Sequence, residues 1–149
     1  MDFIIYICYN ILEVFCMSEI HYGRGYVYSI QYHLVWCVKY RQDILYDQVD
    51  TDVKKLLNQI ASDNDVEIVE MESDKDHIHL FIECKPQHYI PNMVKAFKGV
   101  SARLLFKKHP ELKQQLWDGH LWNPSYFVAT ANENTEEQIP GYIKSQKKK

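Results

Sequence analysis

The sequence has few cysteines, no net positive charge and no internal repeats. Its four cysteines show no C-x-x-C spacing and no regular framework, so a reduced, cytoplasmic protein is expected. The formal net charge of −3 gives no overall sign of nucleic-acid binding. A length of 149 residues suits one domain with a hydrophobic core of its own.

The chain also lacks a long hydrophobic run. The apolar segment 3–9 is too short to span a bilayer, and no basic residues precede it, as they would in a signal peptide. We expect residues 1–16 to be an N-terminal extension ahead of a natural start at Met17, and residues 17–149 to form the functional domain. A packed N-terminal element and a membrane-surface contact are the alternatives.

Charge is unevenly placed along the chain. Residues 42–76 hold eleven acidic residues and three lysines, whereas residues 85–125 hold seven basic residues and two acidic ones. A basic region is the expected footprint of a phosphate backbone. A solvated helix face explains the same charges, so charge alone does not decide between the two.

Hydrophobic periodicity predicts a βαββαβα order. Alternating large apolar residues predict a single long strand over 26–38, and helical spacing predicts helices over 50–62 and from Pro91 to about 108. Further strands are predicted over 66–71, with a possible bulge, and over 76–84 and 125–131, and a last helix from Thr135. Pro140 requires that helix either to kink or to start late. The order predicts an α+β, ferredoxin-like βαββαβ fold: a four-stranded antiparallel sheet with two helices on one face, plus a C-terminal helix.

The segment Asp76-His77-Ile78-His79-Leu80 contains the most informative motif. Side chains at i and i+2 of a strand point the same way, so the imidazoles of His77 and His79 can reach one point beside the sheet. Such a pair can bind a divalent metal, although cross-strand packing explains most His-x-His strands. His33 lies on the more polar face of the first strand, and we expect it to be a surface or cross-strand histidine.

Tyr142 and Gln146 share one face of the last helix, four residues apart. Two imidazoles with the Gln146 amide oxygen could hold Mg or Mn and leave positions open for phosphate oxygens. A tyrosine hydroxyl, with a free pKa of ~10, needs such activation to act as a nucleophile. Taken alone, Tyr142 is better explained as an amphipathic surface contact and Gln146 as a solvated helix residue.

The chain resembles transposases of the IS200/IS605 type, the single-tyrosine members of the His-hydrophobic-His nuclease superfamily. The likeness covers about residues 22–146 in matching order, and the joint presence of its motifs is specific. They are Tyr32-His33-Leu34-Val35-Trp36 with Lys39-Tyr40-Arg41, Asp76-His77-Ile78-His79-Leu80, Phe97-Lys98-Gly99-Val100-Ser101-Ala102-Arg103, and Leu121-Trp122-Asn123-Pro124-Ser125-Tyr126-Phe127-Val128 with Tyr142-Ile143-Lys144-Ser145-Gln146.

The resemblance implies that His77, His79 and Gln146 bind a divalent metal, Mg or Mn. It implies that Tyr142 attacks a phosphate of single-stranded DNA, giving a 5'-phosphotyrosine and a free 3'-OH. It also implies a prokaryotic homodimer that recognises DNA hairpins near the ends of a mobile element, with no membrane association and with nucleoid association while it acts.

Two features depart from the family pattern. Pro140-Gly141 stands where charged, helix-favouring residues usually precede the tyrosine, and the N-terminal extension has no counterpart. Within the resemblance the second helix lies near DNA, and its residues Lys95, Lys98 and Arg103 are predicted phosphate contacts. The alternative is that they only solubilise the helix.

Three other functions remain open from the sequence. A related domesticated enzyme acting on repetitive palindromes would use the same chemistry. A non-catalytic nucleic-acid-binding module would carry stacking aromatics on an exposed sheet face. A metal-dependent hydrolase using water would stay active after Tyr142→Phe.

Overall fold

The computed structural model describes residues 20–116, 118–130 and 135–146, without the side chain of Glu136. The predicted N-terminal extension (residues 1–16), Trp117 and the predicted linker 131–134 lie outside the described residues. The strands are β1 (His21–Gly23), β2 (Tyr26–Tyr28), β3 (Ile30–Cys37), β4 (Glu67–Asp74), β5 (His77–Cys84) and β6 (Phe127–Ala129). Strands β4-β5-β3-β6 form one antiparallel sheet, while β1 and β2 form a separate ribbon. The predicted α+β fold is confirmed.

Two long helices cover one face of this sheet. They are α1 (Asp47–Asp63) and α2 (Ile90–Lys108), the latter with Pro91 in its first turn as predicted. The short α3 (Leu112–Gln115) follows, and α4 (Thr135–Ser145) is the last helix. No helix in the described part of the chain is long and apolar enough to cross a membrane.

The main core lies between the sheet and these two helices. Trp36 of β3 and Leu80 of β5 are fully buried there, and Phe97 of α2 stacks on Trp36 with ring centroids 6.2 Å apart. These residues lie on the apolar stripes that the alternation and the helical spacing predicted. Burial of this face fixes the register of the central strands and therefore the direction of the histidine side chains.

The predicted long strand over 26–38 is wrong, because the structure divides it at Ser29. Ile30 pairs with Cys84, the last residue of β5, so residues before Ile30 have no partner in the main sheet. They pair with β1 instead, through a turn at Gly25, whose φ of +86° is favourable only for glycine. The bulge predicted in β4 is confirmed between Ile68 and Glu70.

Helix α4 packs on the opposite face of the sheet. Its Ile139 and Ile143 are buried in a second, smaller cluster with Val35 and Cys37 of β3. The helix begins at Thr135 and includes Pro140, so the predicted late start is wrong. Strand β5, which lies between β4 and β3, is buried at every position except Glu83.

Candidate active site

The two histidines of β5 lie on the face of the sheet that carries α4. His77 and His79 are 4% and 2% exposed. Their cross-strand neighbours are Cys37 and Val35, which belong to the cluster under α4. Directly paired residues of antiparallel strands point to the same face. The strand register therefore places both imidazoles on the same face of the sheet, as predicted.

The carboxylate of Asp76 orients the first histidine. Its Oδ1 lies 2.8 Å from His77 Nδ1 and its Oδ2 accepts a bond from Arg41 Nε at 3.2 Å. The hydrogen bond to His77 is the largest cause that lowers the pKa of Asp76, and the charge of Arg41 acts in the same direction. An ionised carboxylate on Nδ1 holds the hydrogen there and leaves the lone pair on Nε2. Through Nε2, His77 could therefore bind a metal.

The second histidine is oriented by His33. The structure places His33 Nδ1 2.9 Å from His79 Nε2, and His33 is 3% exposed. His33 is therefore not a surface residue but contacts the neighbouring strand, the other of the two predicted positions. Burial lowers the pKa of His33 to about 4 and that of His79 to about 3, so both rings are neutral at physiological pH.

This contact decides which nitrogen of His79 carries the hydrogen. His79 Nδ1 is buried and meets no hydrogen-bond partner among the described residues. If His33 donated the hydrogen bond, His79 would carry its hydrogen on Nδ1, as a buried N–H with no acceptor, which is costly. Donation from His79 Nε2 to His33 Nδ1 avoids that cost. It leaves the lone pair of the ring on Nδ1.

The donor set fits a divalent metal only if a third ligand joins the histidines. No group of three or more His, Cys, Asp or Glu side chains among the described residues could hold a metal ion. His77 and His79 supply two nitrogens, and the amide oxygen of Gln146 is the predicted third ligand. Two imidazoles and one amide oxygen suit Mn²⁺ or Mg²⁺ with the remaining positions left to phosphate oxygens.

Helix α4 brings the predicted nucleophile to the same face. Tyr142 packs against the cluster formed by Val35, Cys37, Ile139 and Ile143, and its ring lies 5.7 Å from that of Phe127. The Tyr142 hydroxyl donates a hydrogen bond to Ser125 Oγ at 3.0 Å. Burial is the largest cause that raises the pKa of Tyr142, so the phenol is neutral in this arrangement.

Gln146 lies one helical turn further on and contacts the same loop. Its Oε1 accepts a hydrogen bond from Asn123 Nδ2, and its Nε2 donates to the carbonyl of Tyr142 at 3.3 Å. The structure thus brings all four predicted residues to one face of the sheet. It does not join Tyr142 or Gln146 to either histidine by a hydrogen bond.

The three predicted DNA contacts differ in their surroundings. Lys95 and Arg103 are exposed on α2, whereas Lys98 is half-buried. The Lys98 ammonium donates to the carbonyls of Asn123 at 2.6 Å and Ser125 at 3.0 Å. Burial lowers the pKa of Lys98 to about 8. Of the three, Lys95 and Arg103 are exposed and Lys98 is partly buried against the loop.

Sequence reasoning did not assign His33, Asn123 or Ser125 to the site. A signal for them existed, because each lies inside a stretch that carries the family resemblance. Their contacts depend on how α4 packs on the sheet, which residue spacing along a single strand or loop does not reveal.

The fold and this site describe an α+β protein in which a histidine pair on a central strand faces a helix with a tyrosine and a glutamine. The family model for IS200-like transposases matches residues 26–146. The chain therefore belongs to the IS200-like transposase family, whose members are DNA-cleaving enzymes.

Individual relatives agree with this assignment. The chain is 51% identical to the ISDra2 transposase TnpA of Deinococcus radiodurans over 86% of this chain and 91% of that protein. It is 30% identical to the IS200 transposase of Salmonella typhimurium over 80% of this chain and 78% of that protein.

Two solved structures are similar. A crystal structure of a Deinococcus radiodurans R1 transposase matches with a TM-score of 0.84 and 48% identity, covering 87% of this chain and 99% of that one. A REP-associated tyrosine transposase bound to a REP hairpin matches with a TM-score of 0.51 and 13% identity, covering 81% of this chain and 67% of that one. The second likeness bears on the fold alone.

Proposed function

We propose that this transposase cleaves and rejoins single-stranded DNA at hairpin-marked element ends, with Tyr142 as the nucleophile. The observation that carries the proposal is the packing of α4 on the face of the sheet from which His77 and His79 project. A tyrosine placed on the other face, or on a helix away from the sheet, would have no access to a phosphate bound by the histidines.

The chemistry is a transfer of one phosphodiester bond. The Tyr142 oxygen bonds to phosphorus, the bond from phosphorus to the 3' oxygen breaks, and that oxygen leaves as a 3'-OH. The 5' end stays on the protein as a phosphotyrosine, which conserves the energy of the broken bond for rejoining. Tyr142 loses one proton in this step and the departing 3' oxygen gains one, so the hydrogen bond that the Tyr142 hydroxyl donates to Ser125 is given up.

His77, His79 and Gln146 are the residues that would hold a divalent metal, Mg or Mn. Asp76 and His33 orient the two imidazoles through the hydrogen bonds described above. When bound, such an ion neutralises charge on the phosphate and orients it for attack. Gln146 would offer the metal the same Oε1 that accepts the hydrogen bond from Asn123 Nδ2.

DNA recognition rests on the basic face of α2 and on a second subunit. Lys95 and Arg103 are suitably exposed to neutralise phosphates, and Lys98 was predicted with them. The hairpin-bound REP-associated tyrosine transposase, which shares the fold, is consistent with hairpin DNA as the substrate. A homodimer is part of the same proposal.

A binding module that stacks bases on an open sheet face is less well supported. On the face with the histidines, the aromatic residue of β5 is Phe81, which is only 1% exposed. It lies against His33, with ring centroids 4.9 Å apart. A buried ring cannot stack on a base.

The deciding experiment incubates the purified protein with labelled single-stranded hairpin DNA from the flanks of the gene, with Mg²⁺ or Mn²⁺, and separates the products on a denaturing gel. We expect a covalent protein–DNA adduct that disappears in Tyr142→Phe and persists in Tyr89→Phe, a control at an exposed tyrosine. Cleavage that continues in Tyr142→Phe would instead indicate hydrolysis by water.

A further inference from the structure

The loop between α3 and β6 is held by an ammonium from the helix layer. Lys98 of α2 donates to the carbonyls of Asn123 and Ser125, two residues apart. Pro124 lies between them and has no N–H to anchor the loop itself. Backbone bonds also hold the loop, from Asn123 N to the carbonyl of Cys37 at 2.9 Å and from Lys39 N to the carbonyl of Leu121 at 2.8 Å. Trp122 Nε1 in addition donates to Ser101 Oγ of α2 at 2.9 Å. The loop is thus attached to α2 on one side and to β3 on the other.

The side chains of the same two loop residues hold the two functional groups of α4. Ser125 Oγ accepts from the Tyr142 hydroxyl, and Asn123 Nδ2 donates to Gln146 Oε1. The carbonyls of Asn123 and Ser125 contact Lys98 while their side chains contact α4. Lys98 therefore helps to set where both contacts to α4 form.

We propose that Lys98 is a positioning residue of the active site, which fixes the Asn123–Ser125 loop so that it docks Tyr142 and Gln146 on the sheet face of the histidines. This inference rests on the proposed function, because it takes Tyr142 and Gln146 as the reacting groups. Lys98 itself touches neither of them and acts through the loop.

The role differs from that of a phosphate contact. A half-buried ammonium that donates to two carbonyls has already lost much of its hydration and is not free to follow a DNA backbone. Removing it leaves two carbonyls without their partner, which frees the loop to change conformation. The effect should therefore appear at Tyr142 even when no DNA is present.

The test places 3-fluorotyrosine at position 142 of the full chain and records its ¹⁹F spectrum without DNA or metal. Ser125→Ala defines the signal of a tyrosine that has lost its hydrogen bond. We expect Lys98→Met to move the resonance in the same direction as Ser125→Ala. Lys95→Met, which removes an exposed charge from the same helix, should leave it in place. Lys98→Gln is the second variant if Lys98→Met does not fold.

Adduct formation supplies the second measurement. Loss of one ordering interaction should slow adduct formation in Lys98→Met by about tenfold. Hairpin affinity and its salt dependence should stay as in the wild type. An unchanged fluorine resonance in the Lys98 variant would overturn the proposal. If the salt dependence of hairpin binding also fell by about one in slope while the resonance stayed in place, Lys98 would be a phosphate contact instead. Because the fluorine spectrum needs no catalysis, a failure of the tyrosine mechanism would be seen separately, as cleavage by Tyr142→Phe.

Discussion

Replacing Asp76 by asparagine should weaken metal binding without changing any proposed ligand. Asp76 Oδ1 lies 2.8 Å from His77 Nδ1, and as an ionised carboxylate it can only accept a hydrogen bond. An asparagine amide has the same shape but can also donate. By donating to Nδ1 it would move the ring hydrogen to Nε2, the nitrogen that should face the metal.

The expected loss of metal affinity follows from the role of Asp76 as the residue that orients His77. Residues that orient a metal-binding histidine change metal affinity by about 10- to 100-fold when they are replaced. We expect a loss in that range for Asp76→Asn, because the second contact of the carboxylate, to Arg41 Nε at 3.2 Å, is also weakened. His77→Ala sets the scale for complete loss of the ligand.

The assay is a titration with Mn²⁺ in which electron paramagnetic resonance reports the free aqueous ion. Asp74→Asn is the matched control, since it removes one exposed carboxylate from the same hairpin and the Asp74 carboxylate accepts its hydrogen bond from the backbone of Lys75. Equal losses in Asp74→Asn and Asp76→Asn would show that only local charge matters. Wild-type affinity in Asp76→Asn, with loss in His77→Ala, would refute the role of Asp76.

Two further predictions concern the stability of the fold, at residues away from His77 and His79. Hydrogen bonds to the buried Asp52 carboxylate, first among them that of His109 Nε2 at 2.6 Å, lower its pKa from 3.8 to about 2. The carboxylate therefore stabilises the fold above pH ~4, and this contribution should disappear as the pH falls towards ~2. Urea unfolding from pH 7 to pH 2 should show a smaller pH dependence below pH 4 for Asp52→Asn than for the wild type; equal curves would contradict it. Ser101→Ala should lower the free energy of unfolding by about 1–3 kcal/mol, because it removes the acceptor of the buried Trp122 Nε1–H. In a Trp122→Phe background the same change should cost less, and an equal cost in both backgrounds would exclude this explanation.

The sequence predicted the main core well because its signal is local. Alternation along β3 and β5 identifies Trp36 and Leu80 as buried, and helical spacing on α2 identifies Phe97. The division at Ser29 was missed because alternation continues through it. What ends the pairing is the length of β5, which no feature of residues 26–38 reports.

The site was predicted in part, for a similar reason. His77 and His79 share a face by the geometry of any strand, and Tyr142 and Gln146 by that of any helix. His33 was assigned to a more polar face, and it is buried against His79 and Phe81 of the neighbouring strand. That burial depends on packing between elements far apart in the chain, which periodicity within one strand cannot show.

Both halves of the site are aligned by the end of β3. The backbone N–H of Val38 donates to the carbonyl of Asp76 at 2.8 Å, while the carbonyl of Cys37 accepts from Asn123 N at 2.9 Å. The first bond sets the position of the turn that begins the histidine strand. The second sets the position of the loop that docks Tyr142 and Gln146. Since backbone groups make both bonds, side-chain changes at Cys37 can alter the packing under α4 and leave this alignment intact. The position of the loop relative to the histidine strand is therefore a property of the sheet, whereas the contacts of Tyr142 and Gln146 with the loop are side-chain contacts that can exchange during the reaction.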